Sequence, residues 1–498
     1  MENEFIAGLD IGTTKIACLI GQRADDGKIK ILGHACTKSI GVEHGVVRSI
    51  SLTAESVKKA VETASLQANV KVNEVYVGIA GQHIKSIPSQ GLITIPEDHQ
   101  IITKEDVERL CDEQQRVLLG PGDEIIHIFP QNYYVDGHLL PNDIPPEGVR
   151  GKQLKADFHI VTGNNQNIIN ICDSVRAAGY KVKDLVLEPV ASSYAVLNEL
   201  DKQAGVALVD IGGGTTDIAI FYEGIIRHTS VIPLAGQAIT NDIRRGCSIL
   251  PDQAESLKVK YGSCLPANER EGDAVSIPGI IRTQPPKEIS LKMLANIIKT
   301  RVQTILEQVD YEITSSGYNG KNLIAGLVLT GGGASLKYLK EFASLVTGMD
   351  DRIGLPDEHL LTDSDKELSH PKFATGIGLV LYGIEKEENL HTKEMKKEEA
   401  TTTKTQTTKP DDTHKNTEKS VLDILDEMTA TTETTEKASP TEEKTETIPV
   451  KKDSINVQPT PDPSEGTDKD KDKGKGKSKF IDTVSKWMLG FLDDQDIK

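Results

Sequence analysis

Two short segments of the sequence combine a carboxylate, glycines and threonines in the same order. Residues 8–21 read GLDIGTTKIACLIG and residues 207–224 read ALVDIGGGTTDIAIFYEG. In each, an apolar run ends in Asp-Ile-Gly, a small polar turn follows and a second apolar run begins at once, which predicts a β-hairpin. Glycine allows a backbone to approach a ligand closely, and backbone N–H groups in such turns bind anions. Two facing turns of this kind predict a site that holds a polyphosphate from both sides.

Each of these segments also carries an aspartate where its first apolar run ends. The two residues are Asp10 and Asp210. Carboxylate oxygens are the ligands that Mg²⁺ prefers, and the ion usually keeps several of its waters. We therefore predict that the two carboxylates organise the waters of one Mg²⁺ ion.

A third glycine-rich segment, LVLTGGGASLKYLKEF at residues 327–342, predicts a strand, a turn and a helix. Its glycines allow a phosphate or a flat ring to lie against the backbone near a helix N-terminus. Neither G-x-x-x-x-G-K-[ST] nor G-x-G-x-x-G occurs in the sequence, so P-loop and Rossmann sites are unsupported. One glycine turn alone is a weak signal, whereas two matching turns followed by the third are more specific.

Length and composition limit the classes of protein that could carry these segments. A chain of 498 residues is too long for one hydrophobic core, and its net charge of −18 argues against a general nucleic-acid binder. The six cysteines lie far apart without a C-x-x-C pair, which indicates reduced, cytoplasmic residues. The N-terminal MENEF is acidic, unlike a secretory signal, and no apolar run is long enough to span a membrane.

The chain changes character near residue 386. Before it, β-branched runs alternate with helical patterns, which is typical of an α/β protein. Between Tyr382 and Phe480 there is no aromatic residue, and Thr, Lys, Glu, Asp and Pro dominate. We therefore predict a disordered linker over 387–478, with a reach of roughly 50–60 Å. Within it, SVLDILDEM at 420–428 is either a docking motif or a transient helical turn.

The sequence predicts an amphipathic helix after the linker, over residues 479–492. At 100° per residue its large apolar side chains fall in one arc of about 140°. They are Phe480, Ile481, Val484, Trp487, Met488, Phe491 and Leu492. The helix is too short to cross a bilayer but can lie on one, and the lysines between Lys469 and Lys479 favour anionic lipid. The alternatives are a groove of a partner protein and packing on the chain's own globular part.

Several of these motifs, in this order, resemble the actin-like ATPase superfamily. The set comprises the two turns, LEPVASSYAVL at 187–197, LVLTGGGASL and PKFATGIGLVLYG at 371–383. Within the superfamily the chain resembles the FtsA family of bacterial cell-division proteins, because VYVGIAGQHIKSIPSQGLITI and IIHIFPQNYYVDG look like that family's inserted subdomain. The terminal helix also resembles that family's membrane-targeting sequence. The resemblance covers roughly residues 1–386 and 479–492.

The resemblance implies an α/β, actin-like fold in which two RNase-H-like domains enclose a nucleotide cleft. The first domain would comprise 1–82 and 164–198, with 370–386 returning to it, and 83–163 would be its inserted subdomain. The second would comprise 199–228 and 307–369, with 229–306 as its own subdomain. The disordered linker and the amphipathic helix would follow.

The resemblance also implies ATP and Mg²⁺ as ligands and gives each candidate residue a role. Thr13, Thr14 and Lys15, next to Gly12, would meet the β- and γ-phosphates, and Asp10 and Asp210 the waters of the ion. Gly212, Gly213, Gly214 and Thr215 would lie opposite. Glu255 and Lys258 would meet ribose and adenine, and Gly331, Gly332 and Gly333 would line the base.

Three of the candidate residues have an ordinary alternative. Glu188 falls where relatives orient the attacking water, but a carboxylate at a helix N-terminus is equally expected because the dipole favours it. Lys258 could be a solvated lysine. Arg301 falls where the family engages an acidic tail, and a plain surface cation is the alternative.

The function that the resemblance implies is that of a membrane adaptor in cell division. The folded part would bind ATP, with weak or no ATPase activity, associate with itself and capture the C-terminal tail of FtsZ. The terminal helix would hold the assembly on anionic lipid at the cytoplasmic face of the membrane, at the division site, with other division proteins and no nucleic acid as partners. A pilus-assembly relative and a small-molecule kinase of the same superfamily remain alternatives.

Overall fold

A computed structural model of the chain contains three main sheets. Buried, apolar strands form the centre of the first sheet. The described residues are 5–24, 27–96, 100–142, 144–279, 285–361 and 365–404, all within the unit Met1–Glu427. The strands of this sheet are β1 (Ile6–Ile11), β2 (Lys15–Arg23), β3 (Ile29–Lys38), β6 (Glu74–Ile79) and β11 (Lys181–Leu187). Their order is β11-β6-β1-β2-β3, and every residue of β1 is buried.

Helices cover this first sheet and complete what we call the first lobe. They are α1 (Ile50–Ala68), α3 (Asn165–Ala177), α4 (Glu188–Val196) and α10 (Ala374–Lys404). Helix α1 packs against α3, β2 and β3, while α10 packs against β1, β2 and α4. The short strands β4 (Val42–Glu43) and β5 (Val46–Val47) form a hairpin before α1.

The second lobe repeats the hairpin of the first. Its strands are β12 (Val206–Ile211), β13 (Thr216–Tyr222), β14 (Ile225–Ile232), β17 (Leu327–Thr330) and β18 (Asp351–Ile353), in the order β14-β13-β12-β17-β18. Strand β12 pairs antiparallel with β13 and parallel with β17, just as β1 pairs with β2 and β6. The sequence repeat therefore corresponds to a structural repeat.

Further helices complete the second lobe. They are α5 (Glu199–Ala204), α6 (Gly236–Cys247), α7 (Pro251–Tyr261), α8 (Leu291–Ser315) and α9 (Leu339–Thr347). Helix α8 packs against α6 and α9, and β15 (Ala274–Ile277) pairs with β16 (Lys287–Ser290) ahead of it. The predicted subdomain boundary at 228/229 falls inside β14, which pairs with β13 along its length.

A separate four-stranded sheet lies between the two parts of the first lobe in sequence. It contains β7 (Lys85–Thr94), β8 (Asp123–Val135), β9 (His138–Leu139) and β10 (Gln153–Asn164), in the order β7-β10-β8-β9. Helix α2 (Lys104–Glu113) contacts β7 and β10. These elements span 85–164, close to the predicted inserted subdomain at 83–163.

Helix α10 extends beyond the predicted start of the linker. The sequence predicted disorder from residue 387, but the helix runs to Lys404, so that prediction is wrong for 387–404. The segment that follows residue 386 is rich in Glu and Lys, which are strong helix formers. The remaining linker, residues 420–428 and the amphipathic helix at 479–492 lie outside the described residues. Within the described part of the chain, no helix combines the length and apolarity that crossing a bilayer requires.

Candidate functional site

The two repeated hairpins end in turns with the same backbone hydrogen bond. In the first lobe the Gly12 N–H donates to the Lys15 carbonyl at 3.0 Å, and in the second the Gly212 N–H donates to the Thr215 carbonyl at 2.9 Å. The hairpins continue in the same register, with Asp10 opposite Ala17 in one and Asp210 opposite Asp217 in the other. The predicted matching turns are therefore equivalent in backbone geometry.

The two turns face each other and touch. A Cβ atom added to Gly213 would lie 2.5 Å from the Thr14 hydroxyl oxygen, and one added to Gly214 would overlap Thr13. The Thr13 hydroxyl accepts a hydrogen bond from the Gly45 N–H at 3.0 Å. Only glycine allows the second turn to come this close to the first.

A narrow cavity of about 50 Å³ lies beneath the touching turns. Most of the residues proposed from the sequence line it: Asp10, Gly12, Thr13, Thr14, Lys15, Glu188, Asp210, Gly212, Gly213, Gly214, Thr215, Gly331 and Gly332. Its remaining lining residues are Ile11, Gly45, Ala80, Asp217, Lys372 and Thr375. The fold thus brings together segments that are up to 365 residues apart, since it places Asp10 and Thr375 in one cavity.

The first aspartate of the cavity is neutralised by a lysine of its own turn. The Lys15 ammonium lies 2.5 Å from Asp10 Oδ2, and the Asp10 side chain is only 6% exposed. Burial lowers the pKa of Lys15, but Asp10 and Asp210 raise it more, so that the net shift is upward. The lysine therefore carries its charge into a buried, acidic environment.

The second aspartate is held by two hydroxyl groups instead. The hydroxyls of Ser192 in α4 and Thr375 in α10 donate to Asp210 Oδ2 at 2.7 and 3.2 Å. Burial raises the pKa of Asp210, the Ser192 hydrogen bond lowers it and the charge of Asp10 raises it, and the net shift is upward. The hydroxyls offset only part of the unfavourable environment of this carboxylate.

Two further carboxylates complete the acidic wall of the cavity. Burial, followed by the charge of Asp210, raises the pKa of Asp217 to about 8. Burial, followed by the charge of Asp10, raises the pKa of Glu188 well above its usual value. Asp217 Oδ2 accepts a hydrogen bond from the Thr215 hydroxyl at 2.9 Å, while Asp217 Oδ1 is buried without a partner.

The chemistry of this cavity fits a hydrated divalent cation. Four carboxyl groups line it, against two lysines, Lys15 and Lys372, so oxygen ligands outnumber the cations of the site. Hard carboxylate oxygens suit Mg²⁺, and the unpartnered Asp217 Oδ1 is an acceptor that a water of the ion could reach. A bound cation would also lower the raised pKa values by stabilising the ionised carboxylates.

The third glycine segment closes the cavity from the second lobe. Gly331 follows β17 with φ of 82°, and a Cβ at this position would overlap the Asp210 carboxylate. A Cβ on Gly332 would meet no atom within 4 Å, so open space borders this residue. Gly333 packs on Ile211 and is not among the residues that line the cavity.

Glu255 and Lys258 of α7 lie next to the second turn but outside the cavity lining. The Lys258 ammonium donates to the Gly236 carbonyl at 2.9 Å and lies 2.8 Å from Glu255 Oε2. Gly236 N–H in turn donates to the Gly212 carbonyl at 3.1 Å. Lys258 is thus part of a network that connects α7 to the turn rather than a solvated lysine.

Arg301 lies on α8, away from the cavity. Its Nε forms an ion pair with Asp242 Oδ2 of α6 at 2.7 Å, and 21% of its side chain is exposed. The arginine therefore connects two helices and still presents part of its guanidinium to solvent. Its predicted contact with an acidic tail stays a prediction.

Sequence reasoning missed four side chains of the site. Asp217 is hidden within an apolar strand, and Ser192, Lys372 and Thr375 come from helical segments whose polar residues look ordinary. A signal for Asp217 was available, because Ala17 is its counterpart in the first repeat. A carboxylate in place of alanine at a matched strand position indicates a specific role.

The two-lobed fold, with a repeated hairpin in each lobe and a cavity between them, defines an actin-like protein. A solved structure described as the PilM-PilN type IV pilus biogenesis complex has this fold, with a TM-score of 0.56 and 17% identity over 76% of this chain and 98% of that chain. The family model "Cell division protein FtsA" matches residues 207–378, and "SHS2 domain inserted in FTSA" matches residues 81–162.

Curated relatives identify the family. The chain is 38% identical to the cell division protein FtsA of Pseudomonas aeruginosa, over 77% of this chain and 90% of that protein. It is 34% identical to the cell division protein FtsA of Escherichia coli, over 77% of this chain and 91% of that protein. The chain belongs to the FtsA family of cell-division proteins.

Proposed function

We propose that this chain binds ATP with Mg²⁺ between its two lobes, associates with itself and tethers FtsZ to the cytoplasmic face of the membrane at the division site. The observation that carries the nucleotide part is the pair of matched glycine turns that face each other above three buried aspartates and the half-buried Glu188. Backbone N–H groups of such turns bind phosphate, and the carboxylates suit the accompanying ion.

The first turn would hold the phosphates most directly. Thr13 and Thr14 supply hydroxyl and N–H groups, and Lys15 supplies a positive charge that now rests on Asp10. Gly212 to Thr215 approach from the other lobe. When bound, the Mg²⁺ ion would neutralise phosphate charge, with Asp10 and Asp210 holding its waters. Gly331, Gly332 and Gly333 would border the base, and Glu255 and Lys258 the ribose and adenine.

Glu188 is the residue that we propose to orient a water near the phosphates. It begins α4, where the helix dipole favours negative charge. Burial raises its pKa, and a bound cation would lower it again, so ionisation of the carboxyl and ion binding would favour each other. Weak turnover, or none, is compatible with this arrangement.

The lobes have to separate before a nucleotide enters. A cavity of about 50 Å³ holds a few waters, whereas small-molecule pockets usually measure about 300–1,000 Å³. The contacts of Thr14 with Gly213 and of Thr13 with Gly214 are the ones that separation would break. Closure of two domains around a ligand is a common way to couple binding to the shape of a protein.

Membrane attachment rests on the amphipathic helix at 479–492 and on self-association. One short helix binds lipid weakly, because full burial of a large apolar side chain contributes only about 1.5–3 kcal/mol and ordering of the tail opposes binding. Linking many copies in a polymer raises the avidity by orders of magnitude without new contacts. We therefore propose that nucleotide-dependent polymerisation controls attachment.

The FtsZ tail would bind near Arg301. An acidic peptide can compete with Asp242 for the guanidinium, because 21% of the arginine side chain and 28% of the aspartate side chain are exposed. Other division proteins are expected partners, and the net charge of −18 disfavours nucleic acid. Identity of 38% to an FtsA protein favours this function over pilus assembly, since the likeness to the pilus complex concerns the fold alone.

Co-sedimentation with anionic vesicles tests the membrane proposal. We expect the full chain to pellet with vesicles when ATP is present and to carry FtsZ with it, and a chain truncated at residue 478 to stay in solution. Phe491→Glu should weaken pelleting strongly, whereas Leu489→Glu, on the opposite side of the helical wheel, is the matched control. Equal pelleting of the truncated chain would refute the proposal.

A fluorescence measurement and a peptide-binding measurement test membrane binding and FtsZ binding separately. Trp487 is the only tryptophan, so a blue shift of its emission on adding vesicles reports burial of the apolar face. Binding of an FtsZ tail peptide, lost in Arg301→Glu, distinguishes this function from that of a pilus-assembly relative. A kinase would instead phosphorylate a small substrate without vesicles.

A further inference from the structure

Three potential metal ligands converge near the cavity, at β3, the last strand of the first sheet. His34 lies in β3, and Asp365 and Glu367 lie at the start of a short 3-10 helix, Lys366–Ser369. One ligand atom from each of the three residues lies within 4.8 Å of the other two. Residues that are more than 330 positions apart in the chain are therefore brought to one point.

Local contacts orient each of these side chains. Asp365 Oδ1 accepts the Glu367 N–H at 3.0 Å, which orients the carboxylate. The His34 ring packs edge-on against the Phe373 ring, with centroids 5.8 Å apart. Glu367 Oε1 accepts a hydrogen bond from the Lys372 ammonium at 2.6 Å. A ligand site with restrained side chains loses less entropy on binding than a set of free ones.

The donor set favours a transition metal over Mg²⁺ or Ca²⁺. Imidazole nitrogen suits Zn²⁺ and similar ions, while all-oxygen sets suit the alkaline-earth ions. Zinc–ligand bonds of about 2.0–2.2 Å place the donors of a tetrahedral site roughly 3.3 Å apart. Donors already within 4.8 Å need only small side-chain movements to reach that spacing.

We propose that His34, Asp365 and Glu367 bind a divalent transition metal such as Zn²⁺, and that this metal releases Lys372 to face the phosphates. Lys372 connects the two sites, because it is paired with Glu367 and also lines the cavity between the turns. A metal on Glu367 competes with the lysine for the same carboxylate. The freed ammonium then adds positive charge to an acidic cavity, and nucleotide binding is strengthened. This second effect rests on the proposed nucleotide site.

Zinc titration calorimetry on the full chain, without nucleotide, tests the metal site alone. We expect one Zn²⁺ ion whose affinity falls about tenfold or more, which is 1.4 kcal/mol or more, in His34→Ala and in Asp365→Asn. His138→Ala, which removes an exposed histidine of β9, is the control and should bind like the wild type. Melting temperatures of the variants show whether they are folded. An isotherm that neither variant changes, or no binding at all, would overturn the site.

Glu367→Gln tests the connection to the cavity. This change weakens the hold on Lys372 without a metal, so nucleotide affinity should rise severalfold, and zinc should no longer alter it. Glu358→Gln changes another exposed carboxylate and should leave affinity unchanged. Unchanged affinity in Glu367→Gln would overturn the coupling. A wild type that binds zinc but no nucleotide would instead refute the proposed nucleotide site and leave the metal site standing.

Discussion

The turns of the two lobes have the same backbone and opposite chemistry. Each closes with a hydrogen bond from a glycine N–H to the carbonyl three residues later, and each follows a strand whose second-last residue is an aspartate. The first turn carries Lys15 where the second carries Thr215, and the second hairpin carries Asp217 where the first has Ala17. The two hairpins thus share a backbone, while at matched positions the first carries an additional lysine and the second an additional carboxyl group.

The difference extends to how each aspartate is held. Asp10 is paired with a charge, Lys15, whereas Asp210 accepts two hydroxyl groups from α4 and α10. A lysine can move from the carboxylate to a phosphate, because its side chain is long and flexible. Hydroxyls that are fixed on helices cannot follow a ligand in this way. We infer that the first turn responds to phosphate and the second turn provides a fixed frame for the ion.

The largest effect is expected when the first turn is made like the second. Lys15→Thr removes the cation that would meet the phosphates, and a charge-assisted hydrogen bond contributes about 1.5–3 kcal/mol. ATP affinity, measured by calorimetry in the presence of Mg²⁺, should therefore fall by one to two orders of magnitude. Lys30→Thr, at an exposed position of β3, is the matched control. Equal affinity of Lys15→Thr and the wild type would remove the proposed division of roles.

The next effect comes from making the second hairpin less acidic. In the fold the pKa of Asp217 is raised to about 8, far above the value of an exposed aspartate. The folded state therefore binds this proton more tightly than the unfolded chain, and the wild type loses stability as the pH rises from about 4 toward 8. Asp217→Asn cannot ionise, so at pH 8 it should be more stable than the wild type.

Thermal unfolding at several pH values checks this prediction. The difference between Asp217→Asn and the wild type should grow from pH 5 to pH 8. Asp112→Asn, which changes an exposed carboxylate of α2, should show no such trend. A difference that stays constant across the pH range would mean that Asp217 does not titrate in this window.

A smaller effect is expected from the hydroxyls that hold Asp210. Ser192→Ala removes a donor 2.7 Å from a buried carboxylate, and the expected loss of stability at pH 8 is about 1–2 kcal/mol. Ser193→Ala is a close control, because the neighbouring hydroxyl donates to the Val190 carbonyl within the same helix. Chemical denaturation of both variants at pH 8 compares the two directly. A larger loss of stability in Ser193→Ala would show that the serine hydroxyls mainly stabilise helix α4 and not the Asp210 carboxylate.

The smallest effect concerns the contact between the turns. Gly213→Ala places a Cβ 2.5 Å from the Thr14 side chain. The two turns must shift apart to remove this overlap, which should lower the free energy of unfolding by about 1 kcal/mol. Gly332→Ala meets no atom within 4 Å and should melt like the wild type without nucleotide. Faster hydrogen exchange of the first turn in Gly213→Ala would show that the turns have moved apart. Identical exchange in both variants would contradict the contact.

The sequence was most informative where the relevant pattern is local. Both hairpins and the third glycine segment could be predicted, because apolar strands that end in glycine turns are recognisable within about fifteen residues. Ser192 and Thr375 could not be predicted as partners of Asp210, since only the packing of α4 against α10 brings them together. The lack of aromatic residues predicts a disordered linker from residue 387, and this boundary is too early. Glu and Lys are strong helix formers and continue helix α10 as far as Lys404.

Helix α10 begins at the floor of the cavity and ends where the undescribed tail starts. Its second residue, Thr375, donates to Asp210, and the helix is 31 residues long and ends at Lys404. At 1.5 Å per residue this is a rod of about 46 Å. A tilt of the helix by roughly 10° about its N-terminal end would displace its C-terminal end by about 8 Å. A small adjustment around the Asp210 carboxylate would therefore be enlarged at Lys404, where the rest of the chain begins.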